Sequence, residues 1–260
     1  HTEFAGPTLA DIAREKAGII RSDGAAVIGE TSPDLLPVFR AERPATMLVR
    51  GEDFDVVDNA LAVGGRAFAL RTPTTIYSDV FLPLHGAHQG DNAAVALTAV
   101  ETFFAAPLGD DVVMEGFANV ELPGRFEVVG VQPLVIIDGA HNPAGADVCA
   151  SVFFGDFHPE GRRILVVGTL RDPAEMIAAI RADEFDVVHA CTAPTPRGRP
   201  GAEVAAAARA LGCDEVFVHE TVERACDAAL RHADADDAVL VCGSIYVAGA
   251  ARSHVRPRAN

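Results

Sequence analysis

Lysine is almost missing from this chain. Lys16 is the only lysine among 21 basic residues, and the other 20 are arginines. Arginine stays protonated at physiological pH and cannot act as a nucleophile, whereas a desolvated lysine can lose its proton and form a covalent adduct. Lys16 is therefore a candidate for chemistry that requires an amine. An ordinary surface lysine with its stem on the protein is the alternative.

Tryptophan is absent and aromatic residues make up only 6% of the chain, so cores must be built from the smaller residues among its 49% apolar content. That composition favours an α/β fold. With 260 residues, the chain can form one large domain or two smaller ones. The formal charge of −16 argues against a nucleic-acid partner bound through a broad basic surface.

Paired cysteine motifs and long apolar runs are also missing. The five cysteines form no CxxC pair and are odd in number, so neither a disulfide framework nor a zinc site is expected. No run approaches the roughly 20 apolar residues of a membrane span, and no signal peptide is visible. We therefore expect a cytoplasmic protein without a membrane partner.

The pattern of predicted helices and strands changes near 122–125, and we place a domain boundary there. In the first part, Thr8–Asp11 resembles a capping box that begins a helix ending near Gly18. Further helices are predicted at 33–43 and 88–104, and a short buried strand at 25–29. Strands at 47–50, 67–71 and 75–78 are predicted to form a small antiparallel or mixed sheet, with a turn at 64–65.

After 124, continuously apolar strands alternate with helices, which is typical of a parallel, doubly wound sheet covered on both faces. Predicted strands are 126–131, 134–138, 164–168, 186–191, 215–218 and 238–242; predicted helices are 142–153, 173–181, 201–211, 221–232 and 244–252. The predicted domains are 1–122 and 123–252, and 253–260 is interpreted as a tail or linker.

Four segments carry the chemistry. They are His1–Arg21 with its Glu-Lys-Ala-Gly-Ile run, Leu82–Asn92 with His-Gly-Ala-His-Gln-Gly-Asp-Asn, Leu122–Pro143 with Asp-Gly-Ala-His-Asn-Pro, and Cys242–Tyr246. In this order they resemble the folylpolyglutamate synthase and dihydrofolate synthase family of the Mur ligase superfamily, over nearly the whole chain. The resemblance implies an α/β fold: the end of a Mur-ligase-type central ATPase domain, followed by a Rossmann-like C-terminal glutamate ligase domain.

The activity that this resemblance implies is an ATP-dependent amide ligase. It would add L-glutamate to folate or dihydropteroate through an acyl phosphate, forming ADP and using Mg²⁺. The resemblance implies small-molecule substrates. We expect a monomer, and a fusion to another folate-pathway domain is a further hypothesis. Another Mur-type amino-acid ligase with a different carboxylate substrate is the alternative.

The resemblance implies metal-binding and nucleotide-binding roles for residues at matching positions of the first part. His1 matches a magnesium ligand, and Lys16 matches a lysine that carries a carbamate and helps to hold a second magnesium ion. Gln89 and Asn92 begin the long helix, where the family's asparagine contacts adenine. His85 and His88 allow a metal-site interpretation, with a structural role as the alternative.

The remaining implied residues lie in the second part. Arg125 matches the arginine that reaches the ATP phosphates, and Asp138 matches the aspartate that binds the nucleotide at the ribose hydroxyls. His141 lies near the acyl phosphate and the incoming glutamate, as a catalytic and substrate-binding residue. Ser244 is placed near the amino-acid substrate. Helix capping is the alternative role for Ser244, and also for Asn142.

The chain departs from the family pattern at two places. It contains no Gly-Thr-x-Gly-Lys-Gly-Ser phosphate loop, so we expect that loop before His1 and expect these 260 residues alone to bind ATP poorly and catalyse nothing. Many relatives have Asp-Lys-Asp where this chain has Gly168–Pro173, which leaves Arg171 or Arg197 as candidates to replace that lysine.

Two rival functions come from other classes. A nucleotide-binding Rossmann module without ligase activity would show a GxGxxG motif after the first strand of the second part, and neither 129–133 nor 139–143 fits it. A degenerate, non-catalytic homologue would have little reason to retain Lys16, Arg125, Asp138 and His141 together.

Overall fold

The computed structural model describes residues 6–255, and the chain divides into two compact units, His1–Val120 and Glu121–Asn260. Each unit is described by itself. Among the helices of the described residues, none is long and apolar enough to cross a membrane.

The first unit begins with helix α1, Leu9–Ala17, which has the predicted capping box. The Thr8 hydroxyl accepts from the Asp11 amide at 3.1 Å, and Asp11 Oδ2 accepts from the Thr8 amide at 3.1 Å. Strands β1, Ala25–Ile28, and β2, Thr46–Val49, pair in parallel as a two-stranded sheet. Between them, α2 spans Leu36–Arg40 and is shorter than the predicted helix.

An antiparallel sheet forms the centre of the first unit. Its strands are β3, Asp55–Ala62, β4, Gly65–Arg71, and β5, Ile76–Leu82, in the order β3-β4-β5. Strand β2 was predicted to join this sheet and instead pairs with β1. The β3–β4 turn is formed by residues 63–64, one position before the predicted turn.

Helix α3, His88–Phe104, packs on this sheet and has the predicted bounds. Its buried face includes Ala93 and Leu97, which share a core with Phe68 and Tyr77. Gly90 allows the close approach, since a Cβ there would lie 2.8 Å from the Phe68 ring. Helix α4, Asp110–Ala118, follows.

The second unit contains a six-stranded sheet in the order β10-β9-β8-β11-β7-β6. Five strands run parallel, as predicted, and only β6 is antiparallel. The strands are β6 (Glu127–Val131), β7 (Leu134–Ile137), β8 (Arg163–Val167), β9 (Val187–Cys191), β10 (Glu215–His219) and β11 (Ala238–Cys242).

Helices cover both faces of this sheet, which explains why its strands are continuously apolar. One face packs on α5 (Pro143–Asp156), α6 (Pro173–Ala179) and α7 (Gly201–Leu211); the other packs on α8 (Val222–His232) and α9 (Ile245–Val255). Within β7, Ile136 faces the first set, and Val135 and Ile137 face the second.

The last helix extends into the segment 253–260 that was predicted to be a tail. Helix α9 continues through Val255, with Ala251 fully buried and the Ser253 hydroxyl donating to the Gly249 carbonyl at 3.0 Å. The segment up to Val255 contains no proline that would interrupt the helix. Residues 256–260 lie outside the described residues.

Candidate active site

Asp138 directly follows β7, and its carboxylate accepts two main-chain hydrogen bonds. The Phe126 amide donates to Oδ2 at 3.0 Å and the Ala140 amide to Oδ1 at 2.8 Å. The Asp138 amide itself donates to the Val241 carbonyl at 2.9 Å. The half-buried carboxylate is thereby fixed at the carboxyl edge of the sheet, where parallel α/β sheets bind ligands. The carboxylate retains a lone pair for a ligand hydroxyl.

Arg125 is presented by a turn that is attached to this same edge. The Gly139 amide donates to the Gly124 carbonyl at 2.7 Å, and the Gly124 amide donates to Glu127 Oε2 at 2.9 Å. Gly124 and Phe126 on either side of Arg125 have positive φ values of 68° and 48°. The backbone of the turn is therefore well determined while the Arg125 side chain is exposed, as a group that binds an external anion must be.

His141 is held in a defined tautomer. Its Nδ1 lies 3.2 Å from the Gly139 carbonyl oxygen. A carbonyl can only accept, so Nδ1 carries the hydrogen and Nε2 of the neutral ring carries the lone pair. The side chain is exposed, so Nε2 is accessible to a reacting group.

Asn142 begins α5 immediately after His141. Its Oδ1 accepts from the Gly145 amide at 2.8 Å, which confirms the capping role. The N-terminus of this 14-residue helix therefore follows the imidazole directly, and its dipole favours negative charge there.

Buried thiols lie beneath Asp138. A hydrogen bond with Cys242, burial, and the Asp138 charge all raise the pKa of the Cys149 thiol. Cys149 therefore stays a neutral thiol and contributes packing under the site. All five cysteines are free and buried.

Ser244 is fully buried at the end of β11. Its hydroxyl accepts from the Val247 amide at 3.1 Å, so it caps α9, as the alternative interpretation has it. Gly243 before it has a φ of 107°, and a Cβ there would lie 2.4 Å from the Gly168 carbonyl oxygen. Glycine is required at this point because the β8–α6 loop packs directly against it.

Arg171, in that β8–α6 loop, has a contact that the sequence does not reveal. Its Nε donates to the His141 carbonyl at 3.1 Å. Its own amide donates to the hydroxyl of Thr169, which is fully buried, at 3.1 Å. The only sequence signal for this contact is the position of Arg171 after a parallel strand.

In the first unit, Lys16 is exposed in the last turn of α1. Gln89 and Asn92 are joined in the first turn of α3: Asn92 Nδ2 donates to Gln89 Oε1 at 3.0 Å, with Gln89 buried and Asn92 exposed. This bond fixes the orientation of an exposed amide that can both donate and accept.

No group of three or more His, Cys, Asp or Glu side chains within residues 6–255 is placed to hold a metal ion. The metal-site interpretation of His85 and His88 therefore has no such cluster to support it. His1, the predicted magnesium ligand, lies outside the described residues. The unmodified Lys16 side chain offers no oxygen, which is the ligand that Mg²⁺ prefers.

Comparison with known proteins assigns the family. Residues 124–245 match the Mur ligase, glutamate ligase domain. The chain is 36% identical to the dihydrofolate synthase/folylpolyglutamate synthase of Mycobacterium tuberculosis, over 97% of this chain and 58% of that protein. The chain belongs to the folylpolyglutamate synthase/dihydrofolate synthase family.

Two further comparisons show similarity to other proteins with the same family name. A crystal structure of the M. tuberculosis folylpolyglutamate synthase complexed with ADP and AMPPCP superposes with a TM-score of 0.91 at 36% identity, covering 100% of this chain and 62% of that one. A probable bifunctional folylpolyglutamate synthase/dihydropteroate synthase of Haloferax volcanii is 34% identical over 97% of this chain and 30% of that protein. The chain thus spans less than two thirds of the length of these relatives.

The family assignment confirms the predicted Mur-ligase-type α/β fold. Within the second unit, four predicted site residues of this folylpolyglutamate synthase family member lie at one edge of the sheet: Arg125, Asp138, His141 and Ser244. Three of them are exposed or half-buried, and Ser244 is enclosed. The functional roles of all four stay predictions.

Proposed function

We propose that this chain is part of an ATP-dependent ligase that joins L-glutamate to the carboxylate of a folate or of dihydropteroate, forming ADP and phosphate. The observation that carries the proposal is the edge of the second unit. There, a fixed carboxylate, an exposed guanidinium and an imidazole of defined tautomer surround the carboxyl end of β7 in a glutamate ligase domain. The M. tuberculosis relative described with ADP and AMPPCP supports ATP as the co-substrate.

In the proposed reaction, a carboxylate oxygen of the pterin substrate attacks the γ-phosphorus of ATP, and ADP leaves. The glutamate amine then attacks the acyl carbon of the resulting acyl phosphate, loses a proton, and phosphate leaves. Arg125 would stabilise the negative charge of the phosphates through its planar donors. His141 Nε2, with its lone pair exposed, would accept the proton of the attacking amine.

Asp138 would bind hydroxyl groups of the nucleotide ribose through the lone pairs that its two main-chain bonds leave available. In the first unit, Gln89 and Asn92 would contact the adenine, because a hydrogen-bonded pair of amides presents both donors and acceptors. Ser244 would act through the position it gives to the start of α9, next to the amino-acid substrate.

Mg²⁺ would neutralise the triphosphate and polarise the transferred phosphoryl group. The ligands within this chain would be His1 and Lys16 as its carbamate. Carbamate formation requires an unprotonated primary amine that CO₂ can reach, and it converts a cation into an oxygen donor. The use of arginine at all 20 other Lys and Arg positions supports this assignment, and the exposure of Lys16 gives CO₂ access to the side chain.

Carbon-13 NMR of the full-length gene product equilibrated with labelled CO₂ tests the carbamate. We expect a carbamate signal that is absent from Lys16→Arg, which keeps the charge but has no primary amine. A signal of equal size in Lys16→Arg would remove Lys16 from the proposed magnesium site.

The substrate assignment is tested by incubating the full-length gene product with ATP, Mg²⁺ and glutamate, together with dihydropteroate, a folate, or an unrelated amino-acid-accepting carboxylate. We expect ADP and a glutamylated product to form together with one or both pterins. Product with the unrelated carboxylate alone would favour another Mur-type ligase instead.

Location, assembly and fusion also stay predictions. The five free thiols are what a reducing compartment such as the cytoplasm maintains. Sedimentation of the full-length product would test the expectation of a monomer. The bifunctional name of the H. volcanii relative supports the idea that folate-pathway domains can be fused to this one.

A further inference from the structure

Arg171 and His141 are joined across the carboxyl edge of the sheet in the second unit. Arg171 follows β8 and His141 follows β7, and β11 lies between these two strands. Neighbouring strands are about 4.8 Å apart, so β8 and β7 are separated by about 10 Å, and the two loops and the Arg171 side chain together close this gap over the end of β11. The bond from Nε to the His141 carbonyl, at 3.1 Å, is thus a tie between two loops that are not adjacent in the sheet.

The Arg171 end of this tie is rigid. Its amide donates to the buried hydroxyl of Thr169, and the carbonyl of Thr169 accepts from the Arg199 amide at 2.8 Å. The next residue, Asp172, caps α6 through a bond from the Ala174 amide to Oδ1 at 2.8 Å. The backbone at Arg171 is therefore fixed on both sides, and its side chain extends from a fixed point.

The His141 end is held at two atoms of the same residue. The ring Nδ1 donates to the Gly139 carbonyl, and the main-chain carbonyl accepts from Arg171. The first bond selects the tautomer, and the second fixes the peptide from which the imidazole extends. Other bonds hold Gly139, Ala140 and Asn142, whereas the bond from Arg171 acts on the His141 peptide itself, so its loss would change the direction of Nε2. Displacements of about 1 Å in a reacting group can lower a rate about 100-fold.

We propose that Arg171 is a positioning residue for His141: its guanidinium clamps the β7–α5 loop from across β11 and so aims His141 Nε2 at the reacting amine. The proposal rests on the function proposed above for His141. It gives Arg171 a role through another residue, rather than as a replacement for the lysine of the family's Asp-Lys-Asp segment.

The test compares Arg171→Met with Arg171→Lys in the full-length gene product. Methionine keeps an unbranched side chain of similar length and removes the donor, whereas lysine retains a donor that can reach the carbonyl. We expect Arg171→Met to lower kcat by about 10- to 100-fold while the KM values for ATP and glutamate change by less than about twofold. Arg171→Lys should recover most of that loss.

Arg209→Ala is the matched control, because Arg209 Nη2 also donates to a main-chain carbonyl, that of Val216, at 2.7 Å. Val216 lies near the start of β10, whereas His141 follows the end of β7. We expect the control to leave kcat unchanged at a temperature where all variants are folded.

A spectroscopic measurement tests the clamp without any turnover. In protein labelled at the histidine Cε1 positions, the His141 signal is assigned from its loss in His141→Gln. We expect Arg171→Met to shift or broaden this signal and Arg209→Ala to leave it in place. If the wild type proves not to be a ligase, the proposed function fails and this signal still decides whether Arg171 holds His141.

Two outcomes would overturn the proposal. One is an unchanged His141 signal and a wild-type kcat in Arg171→Met. The other is a rise in the KM for glutamate with kcat unchanged, which would mean that Arg171 contacts the substrate directly.

Discussion

Asp138→Asn separates the structural and the catalytic role of the carboxylate at the end of β7. The substitution preserves shape and replaces one acceptor oxygen by an NH₂ donor. In the wild type, the two oxygens accept from the Phe126 and Ala140 amides at 3.0 and 2.8 Å. Asparagine can satisfy only one of them, and the other amide then faces a second donor.

The size of the effect follows from the bond that is lost. A hydrogen bond to a charged acceptor contributes about 1.5–3 kcal/mol, and a stranded amide adds to the loss, so we expect destabilisation by about 2–3 kcal/mol. For a unit of this size, that is a decrease in Tm of about 6–9 °C. The released Phe126 also frees the turn that presents Arg125, so we expect kcat to fall in addition to stability.

The assay is urea denaturation of the full-length gene product, followed by turnover at a temperature where every variant is folded. Asp237→Asn is the control at the start of β11. The carboxylate of Asp237, which is buried, likewise accepts two main-chain hydrogen bonds, from the Arg162 amide at 2.6 Å and the Asp234 amide at 2.9 Å, and it also pairs with the Arg162 guanidinium at 3.1 Å. We expect the control to be destabilised by at least as much, because it also loses the ion pair with Arg162, with unchanged kcat.

The reasoning would be refuted if Asp138→Asn lost less than about 0.5 kcal/mol while Asp237→Asn lost several times as much. Equal losses of kcat in the two variants would show that the activity responds to general destabilisation of the sheet rather than to the edge at Asp138.

Three further predictions concern other parts of the chain. Lys16→Arg should abolish ligase turnover and leave Tm nearly unchanged, because the side chain is exposed; wild-type turnover would make Lys16 an ordinary surface residue. Tyr77→Phe should lower the free energy of unfolding by about 2–3 kcal/mol in urea denaturation, because it removes the hydroxyl that donates to the buried Glu101 carboxylate at 2.5 Å. Burial of the phenol, followed by its bond to Glu101, raises the pKa of Tyr77 to about 12, so the hydroxyl remains a donor at all working pH values. Burial, followed by the neighbouring His219 and His232, lowers the pKa of His189 to about 4. Below about pH 6.5 the unfolded chain therefore binds more protons at this residue, so stability should fall as the pH decreases from about 6.5 to 4. His189→Gln should flatten that part of the pH profile, and an unchanged slope would contradict it.

The second unit was largely predictable because its strands are apolar on both faces. Leu134–Ile137 and Ala238–Cys242 can only be strands buried between two layers, and their regular alternation with helices indicates parallel pairing. The capping box at Thr8 and the bounds of α3 were predictable because their signals are local.

Other elements escaped prediction for identifiable reasons. Strand β3, with the sequence DVVDNALA, has polar residues on both faces and lacks the alternation of a half-buried strand. Helix α4 is the exception: its signals were present and were missed, since Asp110 and Asp111 lie in its first turn and Val113 and Phe117 are spaced four apart.

Within the site, the residue types and their order along the chain could be predicted, but not their hydrogen bonds. The contact of Asp138 with Phe126 depends on the turn at Gly124, and that of Arg171 with His141 depends on the strand order. Both are tertiary relations between segments 12 or more residues apart, on which local sequence patterns carry no information.

The central claim is that the substrate carboxylate is phosphorylated by ATP before glutamate attacks it. The most direct measurement uses a pterin substrate labelled with oxygen-18 in that carboxylate and analyses the phosphate released by the full-length gene product. We predict one labelled oxygen in each phosphate, formed together with the glutamylated product. Unlabelled phosphate accompanying the same product would contradict an acyl phosphate and the ligase mechanism proposed for this chain.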